Sequence, residues 1–329
     1  MLVLLMSMAL ANSSSASTPG PASAPVLSKV ALVIGNAQYE SVGALKNPVN
    51  DAQDICDALR SLGFTTSCYY NVKTRAKLRS LIQDFTESNP ENSVSLVYYA
   101  GHAVQVNGEN LLVPTAARLS TESAVQSESV SLSFVMRELQ RSPHFLNIII
   151  LDACRNNPVA PGTQSLPSGL AQVQVTDLPD ATEVLYATAA NDLALDGEGR
   201  HGILTKNILA SIRERGTVDD LFKQVSLGVQ RDSQAMGKRQ KPALYTNFTG
   251  RFCLVQCDEV ESLQMEKQLS DDRVVDLQNS LAAGNQRAQA EIAVEKEKNA
   301  QLGEELKKKE QEAKAAGKTA RAFDIPPAQ

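Results

Sequence analysis

One stretch of sequence decides the fold: Asn147-Ile148-Ile149-Ile150-Leu151-Asp152-Ala153-Cys154-Arg155-Asn156-Asn157-Pro158. Its apolar run from Ile148 to Leu151 predicts a strand that is buried on both faces of a sheet. The run stops at an acid, a small residue and a cysteine, and Asn-Asn-Pro turn residues follow. Because the carboxyl ends of strands line the ligand crevice of an open α/β sheet, we expect Cys154 at the rim of that crevice. A buried structural thiol is the alternative interpretation.

Strands and helices alternate around this stretch. Further strands are predicted at 29–36, 64–70, 93–100 and 183–188, and an edge strand at 251–254. Helices are predicted from Asn50-Asp51 to the stop at Gly63, from the cap Thr74 onward, and at 132–139, 201–213 and 218–229. The short connections predict an α/β domain with a mostly parallel sheet covered by helices on both faces.

A histidine follows another of these strands in the same way. His102 comes directly after the strand that is predicted to end at Ala100, and an Asn107-Gly108 hairpin turn follows it. Because the carboxyl ends of parallel strands meet at one edge, we expect His102 close to Cys154. A histidine there can accept the thiol proton and later protonate a leaving amine. A satisfied core or surface histidine is the alternative.

The following segments carry a family resemblance: Tyr98-Tyr99-Ala100-Gly101-His102, Gly108 to Pro114, Leu151 to Pro158, Tyr186 to Ala189, and Gly197 to Gly202. In this order they resemble the caspase-like cysteine peptidases, and most closely the bacterial members related to metacaspases and paracaspases. The resemblance runs from about Lys29 to about Cys253. It implies a caspase-like (haemoglobinase-type) α/β fold and a cysteine endopeptidase with His102 as base and Cys154 as nucleophile. It implies no cofactor; some metacaspases respond to calcium, but no calcium site is assigned here.

One position departs from the family pattern. Relatives carry Gly-His-Gly, whereas residue 103 here is alanine. The backbone amides of Ala103 and Cys154 are the expected oxyanion donors, and the β-carbon of Ala103 restricts how its amide is presented. The alternative function is therefore a catalytically inactive caspase-like module that binds partners and is oligomerised by its C-terminal helix.

The resemblance also implies which substrate residue is recognised. Metacaspases and paracaspases cleave after arginine or lysine, using acids in the S1 pocket, which receives the residue before the cleaved bond. The matching acids are Asp51, Asp152 and Asp196. Three carboxylates favour a bidentate guanidinium over an ammonium, so we expect cleavage after arginine, with lysine second. A helix N-cap is the alternative role for Asp51, and a turn residue for Asp196.

The segment after the nucleophile predicts how the enzyme is activated. Residues 156–182 are rich in Pro, Gly, Ser and Gln and contain no Lys or Arg. An enzyme that is specific for basic residues cannot process itself there, so we expect activity without a cut in this linker. Arg200 is the nearest basic alternative downstream, and the run Lys238 to Pro242 is either a solvated loop or a self-cleavage site.

The sequence divides into three parts. Residues 1–28 are a signal-like segment and flexible leader, 29–257 the caspase-like catalytic domain, and 258–329 a charged helical tail with a disordered end. The first apolar run is shorter than the roughly 20 residues that span a bilayer, so we expect export (periplasmic or secreted) and no membrane span; a cytoplasmic location is the alternative.

Cysteine content and charge limit the partners. Five cysteines can form the pairs Cys56–Cys68 and Cys253–Cys257 with Cys154 free, and reduced buried thiols are the alternative. A net charge of −5 without a basic stripe argues against nucleic acid. Apolar residues at 3–4 spacing in 258–315 predict either a weak coiled coil for self-association or a solvated charged helix.

Overall fold

The computed structural model describes residues 27–141, 144–154, 170–189, 199–255 and 257–315. The strands in chain order are β1 (Lys29–Gly35), β2 (Thr65–Tyr70), β3 (Val94–Val106), β4 (Glu109–Leu112), β5 (Val130–Ser131), β6 (Leu146–Cys154), β7 (Thr182–Tyr186) and β8 (Ala243–Thr246). The helices are α1 (Pro48–Ser61), α2 (Arg75–Ser88), α3 (Glu122–Glu128), α4 (Leu132–Gln140), α5 (Ile203–Ser211), α6 (Val218–Ala235), α7 (Glu259–Ala282) and α8 (Ala288–Ala315). A single 3₁₀ turn lies at Val175–Asp177 within these residues.

The main sheet has the strand order β2-β1-β3-β6-β7-β8. The first five of these strands pair in parallel, and β8 pairs antiparallel with β7 at the edge. The short strands β4 and β5 continue from the far end of β3. The predicted α/β class with a mostly parallel sheet is confirmed.

Helices cover both faces of the sheet. The first core lies under α1, α5 and α6 and includes Ile148 and Ile150 of β6. The second lies under α2 and α4 and includes Ile149 and Leu151 of the same strand. Successive side chains of β6 therefore enter opposite apolar cores, which is why this strand has an uninterrupted apolar sequence.

The ends of α1 are set by its local sequence. The helix begins at Pro48, two residues before the predicted start, because proline suits the first helical position. After its last turn, Gly63 adopts φ +81°. The amide of Gly63 then donates to the carbonyl of Arg60, and that of Phe64 to the carbonyl of Leu59. The predicted stop at Gly63 is thus confirmed.

The strand that carries His102 is longer than predicted. It does not end at Ala100 but continues through Gly101 to Val106. There the chain reverses through Asn107 and Gly108, whose φ angles of 51° and 80° suit the predicted hairpin turn. The strand can continue because β4 replaces its parallel neighbour β1, which pairs with β3 only as far as Ala100.

The predicted edge strand at 251–254 is wrong. In this segment Phe252, Cys253 and Leu254 are all buried. Its sole ladder contact among the described residues is the bridge between Thr217 and Cys253. Three consecutive buried residues cannot follow the alternation of an edge strand, so this segment packs on the first core instead.

The tail forms an antiparallel pair of helices. Lys309 near the end of α8 lies 2.9 Å from Glu259 at the start of α7, and the two helices turn at Gly284, whose φ is +98°. Met265 and Leu269 of α7 pack against the first core. The two helices thus bury part of the apolar residues of 258–315 within one chain. Self-association through these residues stays a prediction.

No helix of the described residues combines the length and apolar content needed to cross a membrane.

Four cysteines form the two predicted disulfide pairs. Cys56 of α1 is bonded to Cys68 of β2, and Cys253 to Cys257 just before α7. The first disulfide attaches α1 to the strand at the open edge of the sheet. The second lies between the last residues of the sheet domain and the helical tail.

Candidate active site

His102 and Cys154 lie side by side on adjacent strands. In the parallel pairing of β3 with β6 they are register partners, and Cys154 is the last residue of β6. Neighbouring strands lie roughly 4.8 Å apart, so the two residues that the sequence singled out are brought together. His102 is 5% exposed, which removes most of its ring from bulk water.

A backbone carbonyl orients the His102 ring. Its Nε2 lies 2.7 Å from the carbonyl oxygen of Gly43. A carbonyl oxygen only accepts, so Nε2 carries the hydrogen and Nδ1 is the basic nitrogen of the neutral ring. The Tyr39 ring packs against the imidazole with 4.4 Å between centroids. Gly43 was not predicted from the sequence, because it acts through its backbone carbonyl and every residue type has one.

Two tyrosine hydroxyls fix the backbone at His102. The hydroxyl of Tyr39 accepts the His102 amide hydrogen at 2.7 Å, and that of Tyr99 donates to the His102 carbonyl at 2.8 Å. A β-carbon at Gly101 would lie 2.6 Å from the Tyr39 hydroxyl and 3.0 Å from that of Tyr99. Glycine is therefore required before the histidine to admit both hydroxyls.

The β-carbon of Ala103 lies in the second core. Ala103 is 1% exposed and is the register partner of Leu112 in β4. The Val113 amide donates to the His102 carbonyl at 3.1 Å, so residue 102 faces β4. By the alternation of a strand, the Ala103 amide points to the opposite side, where β6 ends. The extra methyl group thus packs among apolar side chains and leaves the amide directed toward the end of β6.

Asp51 lies in the first turn of α1 and does not cap it. The N-cap position belongs to Asn47. The Asp51 carboxylate accepts the Gly202 amide hydrogen at 3.2 and 3.3 Å and lies 3.0 Å from Nδ1 of His201. Asp51 is 2% exposed, so these contacts satisfy a charge that water hardly reaches.

Asp152 and Asp51 flank the same backbone position. The Asp152 carboxylate accepts from the Thr205 hydroxyl at 2.6 Å and from the Thr205 amide at 3.3 Å. A β-carbon at Gly202 would lie 3.2 Å from Asp152 Oδ2 and 3.4 Å from Asp51 Oδ2. The structure therefore brings two of the three predicted acids together; the third, Asp196, lies outside the described residues.

A further acid of α1, Asp54, contacts the two basic residues Arg200 and His201. The Arg200 guanidinium makes two 2.9 Å hydrogen bonds to Asp54, one turn along α1 from Asp51. This contact lowers the pKa of Asp54 against the opposing effect of burial. Nε2 of His201 also lies 3.0 Å from Asp54. Burial lowers the pKa of His201, with Asp54 acting in the opposite direction.

The sequence did not identify Asp54, His201 or Thr205 as site residues. The predicted helix from 201 begins at Ile203, and His201 lies in the loop before it. That loop, inside the Gly197 to Gly202 motif, was the available signal. The residues that this loop contacts could not be predicted from the sequence, because they lie about 150 residues earlier in the chain.

Within the described residues, one group of side chains has metal-like proximity: Cys253, Cys257 and Glu261. Its two sulfurs are joined to each other in a disulfide. The group then offers a single carboxylate, and a calcium or zinc site usually needs four or more ligands.

Comparison with known proteins agrees with this arrangement. A family model described as the caspase domain matches residues 28–253. The human mucosa-associated lymphoid tissue lymphoma translocation protein 1 is 30% identical over 128 residues, which cover 39% of this chain and 15% of the human protein. Its mouse homolog is 29% identical over 128 residues, with the same shares. The chain thus spans about 15% of the length of these relatives.

The matched segment contains the whole main sheet, both flanking helical layers and the register pair His102–Cys154. The chain therefore belongs to the caspase domain family, which is a family of cysteine peptidases.

Proposed function

We propose that the chain is a cysteine endopeptidase with a His102–Cys154 dyad that cleaves after arginine, and second after lysine. The observation that carries this proposal is the register of the dyad together with the Gly43 contact, which makes Nδ1 of His102 the basic nitrogen. The chemistry needs a thiolate, and a free thiol with a pKa of about 8.5 is mostly protonated at neutral pH.

The proposed reaction has two halves. Nδ1 of His102 takes the thiol proton of Cys154, and the thiolate attacks the carbonyl carbon of the peptide bond. The C–N bond then breaks, His102 returns the proton to the leaving amine, and an acyl-thioester remains. A water molecule, deprotonated by His102, attacks the thioester, and its breakdown returns the proton to the thiolate and releases the acid.

The oxyanion of each tetrahedral intermediate would be bound by backbone amides of Ala103 and Cys154. The Ala103 amide lies on the side of β3 that faces β6, the strand that ends at Cys154. The methyl group of Ala103 is buried in the second core, which argues against the inactive-module alternative. Removing one such donor typically costs about 10²–10³ in rate.

Arginine selectivity is supported by the acids around Gly202. Asp51 and Asp152 come from different elements and approach one backbone position, which provides two carboxylates for a planar guanidinium. Asp196 is kept as the third proposed acid on the resemblance alone. The Arg200–Asp54 pair illustrates at the edge of this site the bidentate geometry that we propose for the substrate.

We propose activity in the single chain, because 156–182 has no basic residue for self-cleavage. Of the basic residues downstream, Lys238 and Arg239 are exposed, whereas the next residue, Gln240, is buried.

We also propose export, since two disulfides suit an oxidising compartment.

Three peptide reporters that differ in the residue before the cleaved bond test the function. Wild type is expected to cleave the arginyl reporter fastest, the lysyl reporter next and the aspartyl reporter least. Cys154→Ala is expected to abolish turnover, and His102→Gln to lower kcat by about 10²–10⁴. His144→Gln is the matched control, because His144 contacts Ser93 at the other end of β3. Equal signals from wild type and Cys154→Ala would remove the peptidase assignment.

A further inference from the structure

The Asp152 carboxylate is held by a buried pair of hydroxyl groups that the sequence did not single out. Thr205 and Tyr98 are both fully buried. The Tyr98 hydroxyl lies 2.5 Å from the Thr205 hydroxyl, which in turn lies 2.6 Å from Asp152 Oδ2. Three polar groups from β3, α5 and β6 are thus joined inside the first core.

The direction of these hydrogen bonds follows from the carboxylate. An ionised carboxylate only accepts, so the Thr205 hydroxyl hydrogen points to Asp152. The oxygen of Thr205 is then left as an acceptor for the Tyr98 hydroxyl. Burial, and after it the charges of Asp152 and Asp51, raise the pKa of Tyr98 well above its usual value, so Tyr98 stays protonated and able to donate.

The first turn of α5 adds a backbone donor. Its N-cap residue is Gly202, which has no side chain to satisfy the first amides. The Thr205 amide donates to Asp152 at 3.3 Å and the Gly202 amide to Asp51. The two acids therefore take the place of a capping side chain, and the helix N-terminus favours their ionised forms.

We propose that Thr205 and Tyr98 are positioning residues for arginine recognition, which keep Asp152 ionised and aimed at the guanidinium of the substrate. This inference rests on the proposed specificity. A carboxylate that ends a buried strand would otherwise rotate or take up a proton, and either change weakens a bidentate contact. The pair acts through Asp152 and takes no part in bond breaking, so it should set KM for arginyl substrates and leave kcat unchanged.

Agmatine, the guanidinium compound without a cleavable bond, probes this arrangement directly. Its dissociation constant is measured by calorimetry on the full chain. Thr205→Val is expected to weaken binding about tenfold or more, and Tyr98→Phe about threefold. Thr205→Ser keeps the hydroxyl, and its dissociation constant for agmatine is expected to match that of wild type. Thr86→Val is the matched control, because the hydroxyl of the buried Thr86 donates to the Gln83 carbonyl of its own helix α2.

The arginyl reporter provides the second measurement. Thr205→Val should raise KM in proportion to its loss of agmatine binding, with kcat within about twofold of wild type, and Thr205→Ser should restore KM. If Thr205→Val does not fold in thermal melts, Tyr98→Phe against Thr205→Ser carries the same comparison.

Unchanged agmatine binding in Thr205→Val, equal losses in the Val and Ser variants, or no agmatine binding by wild type would overturn the inference. If the binding series behaves as expected but no reporter is cleaved, the peptidase proposal fails and the positioning role stands.

Discussion

Buried carboxyl groups occur at both ends of the sheet on the face under α1, α5 and α6, and their surroundings differ. At the carboxyl end, Asp51 receives hydrogen bonds from the Gly202 amide and contacts His201. At the amino end, Glu183 of β7 is 1% exposed, and its Oε2 has no hydrogen-bond partner in the part of the chain that the structure describes. Burial and the nearby charge of Asp219 raise the pKa of Glu183 to about 8.

The comparison shows that burial alone does not mark a functional acid. Donors arranged around Asp51 support an ionised carboxylate that can attract a cation, whereas Glu183 is neutral at neutral pH. The donors at the carboxyl end come from the loop before α5 and its first turn, whereas among the described residues no group donates to Oε2 of Glu183. The following predictions test this difference, with the effects on activity in decreasing order.

Asp51→Asn should cause the largest loss. It removes the charge but keeps the shape, and charge-assisted hydrogen bonds are the strong ones, so kcat/KM on the arginyl reporter should fall by about 10–100-fold. Steady-state kinetics measures this. Asp57→Asn, on the same helix but exposed and paired with Arg60, should stay within about twofold. Equal losses in both variants would contradict the assignment of Asp51 to the pocket.

Glu183→Gln should stabilise the fold at alkaline pH. The pKa of folded Glu183, about 8, lies above the ordinary value of 4.5, so the folded state holds a proton that the unfolded chain has lost. Wild-type stability is therefore lost as pH rises from about 4.5 to about 8. At pH 8 the variant should gain about 4 kcal/mol in the free energy of unfolding, and little below pH 5.

Urea unfolding across this pH range measures the Glu183 effect. Glu138→Gln is the control, because Glu138 is buried to a similar degree but is bonded to Arg141 at 2.9 Å. It should show no gain. A stability difference for Glu183→Gln that is independent of pH would mean that this carboxyl group does not titrate as described.

His201→Gln should have a smaller effect than Asp51→Asn. The variant loses the imidazole that lies 3.0 Å from both Asp51 and Asp54, so Asp51 is held less firmly. The value of kcat/KM on the arginyl reporter should fall about five- to tenfold, mainly through KM. His144→Gln, remote from the acids, is the control, and a matching loss there would assign the effect to stability.

Arg200→Ala should have the smallest effect and the opposite sign. Arg200 is an exposed cation beside the acids of the proposed pocket, so its removal should lower KM for the arginyl reporter about two- to threefold at low salt. The difference should vanish at high salt because exposed charges are screened. A raised KM would show that Arg200 supports the pocket instead of competing with the substrate.

Much of this molecule could be predicted from local sequence. The apolar run before Asp152 predicts a doubly covered strand, Asn107-Gly108 predicts the hairpin, and Gly63 predicts the helix stop; each is confirmed. The errors occurred where a tertiary partner overrides the local pattern. β3 continues past Ala100 because β4 pairs with it, and residues 251–254 leave the sheet because the first core buries them.

The sequence by itself determined the order of strands and helices, the glycine before His102, the cysteine at the end of β6 and, through the family resemblance, three acids as pocket candidates. These features depend on periodicity, turn residues and motifs, which act over a few residues. The tertiary structure alone decided the tautomer of His102 through the Gly43 carbonyl, and the hydrogen bonds that link Tyr98 to Thr205 and Thr205 to Asp152. Those contacts join segments that lie about 50 to 110 residues apart, and such distances have no local sequence pattern.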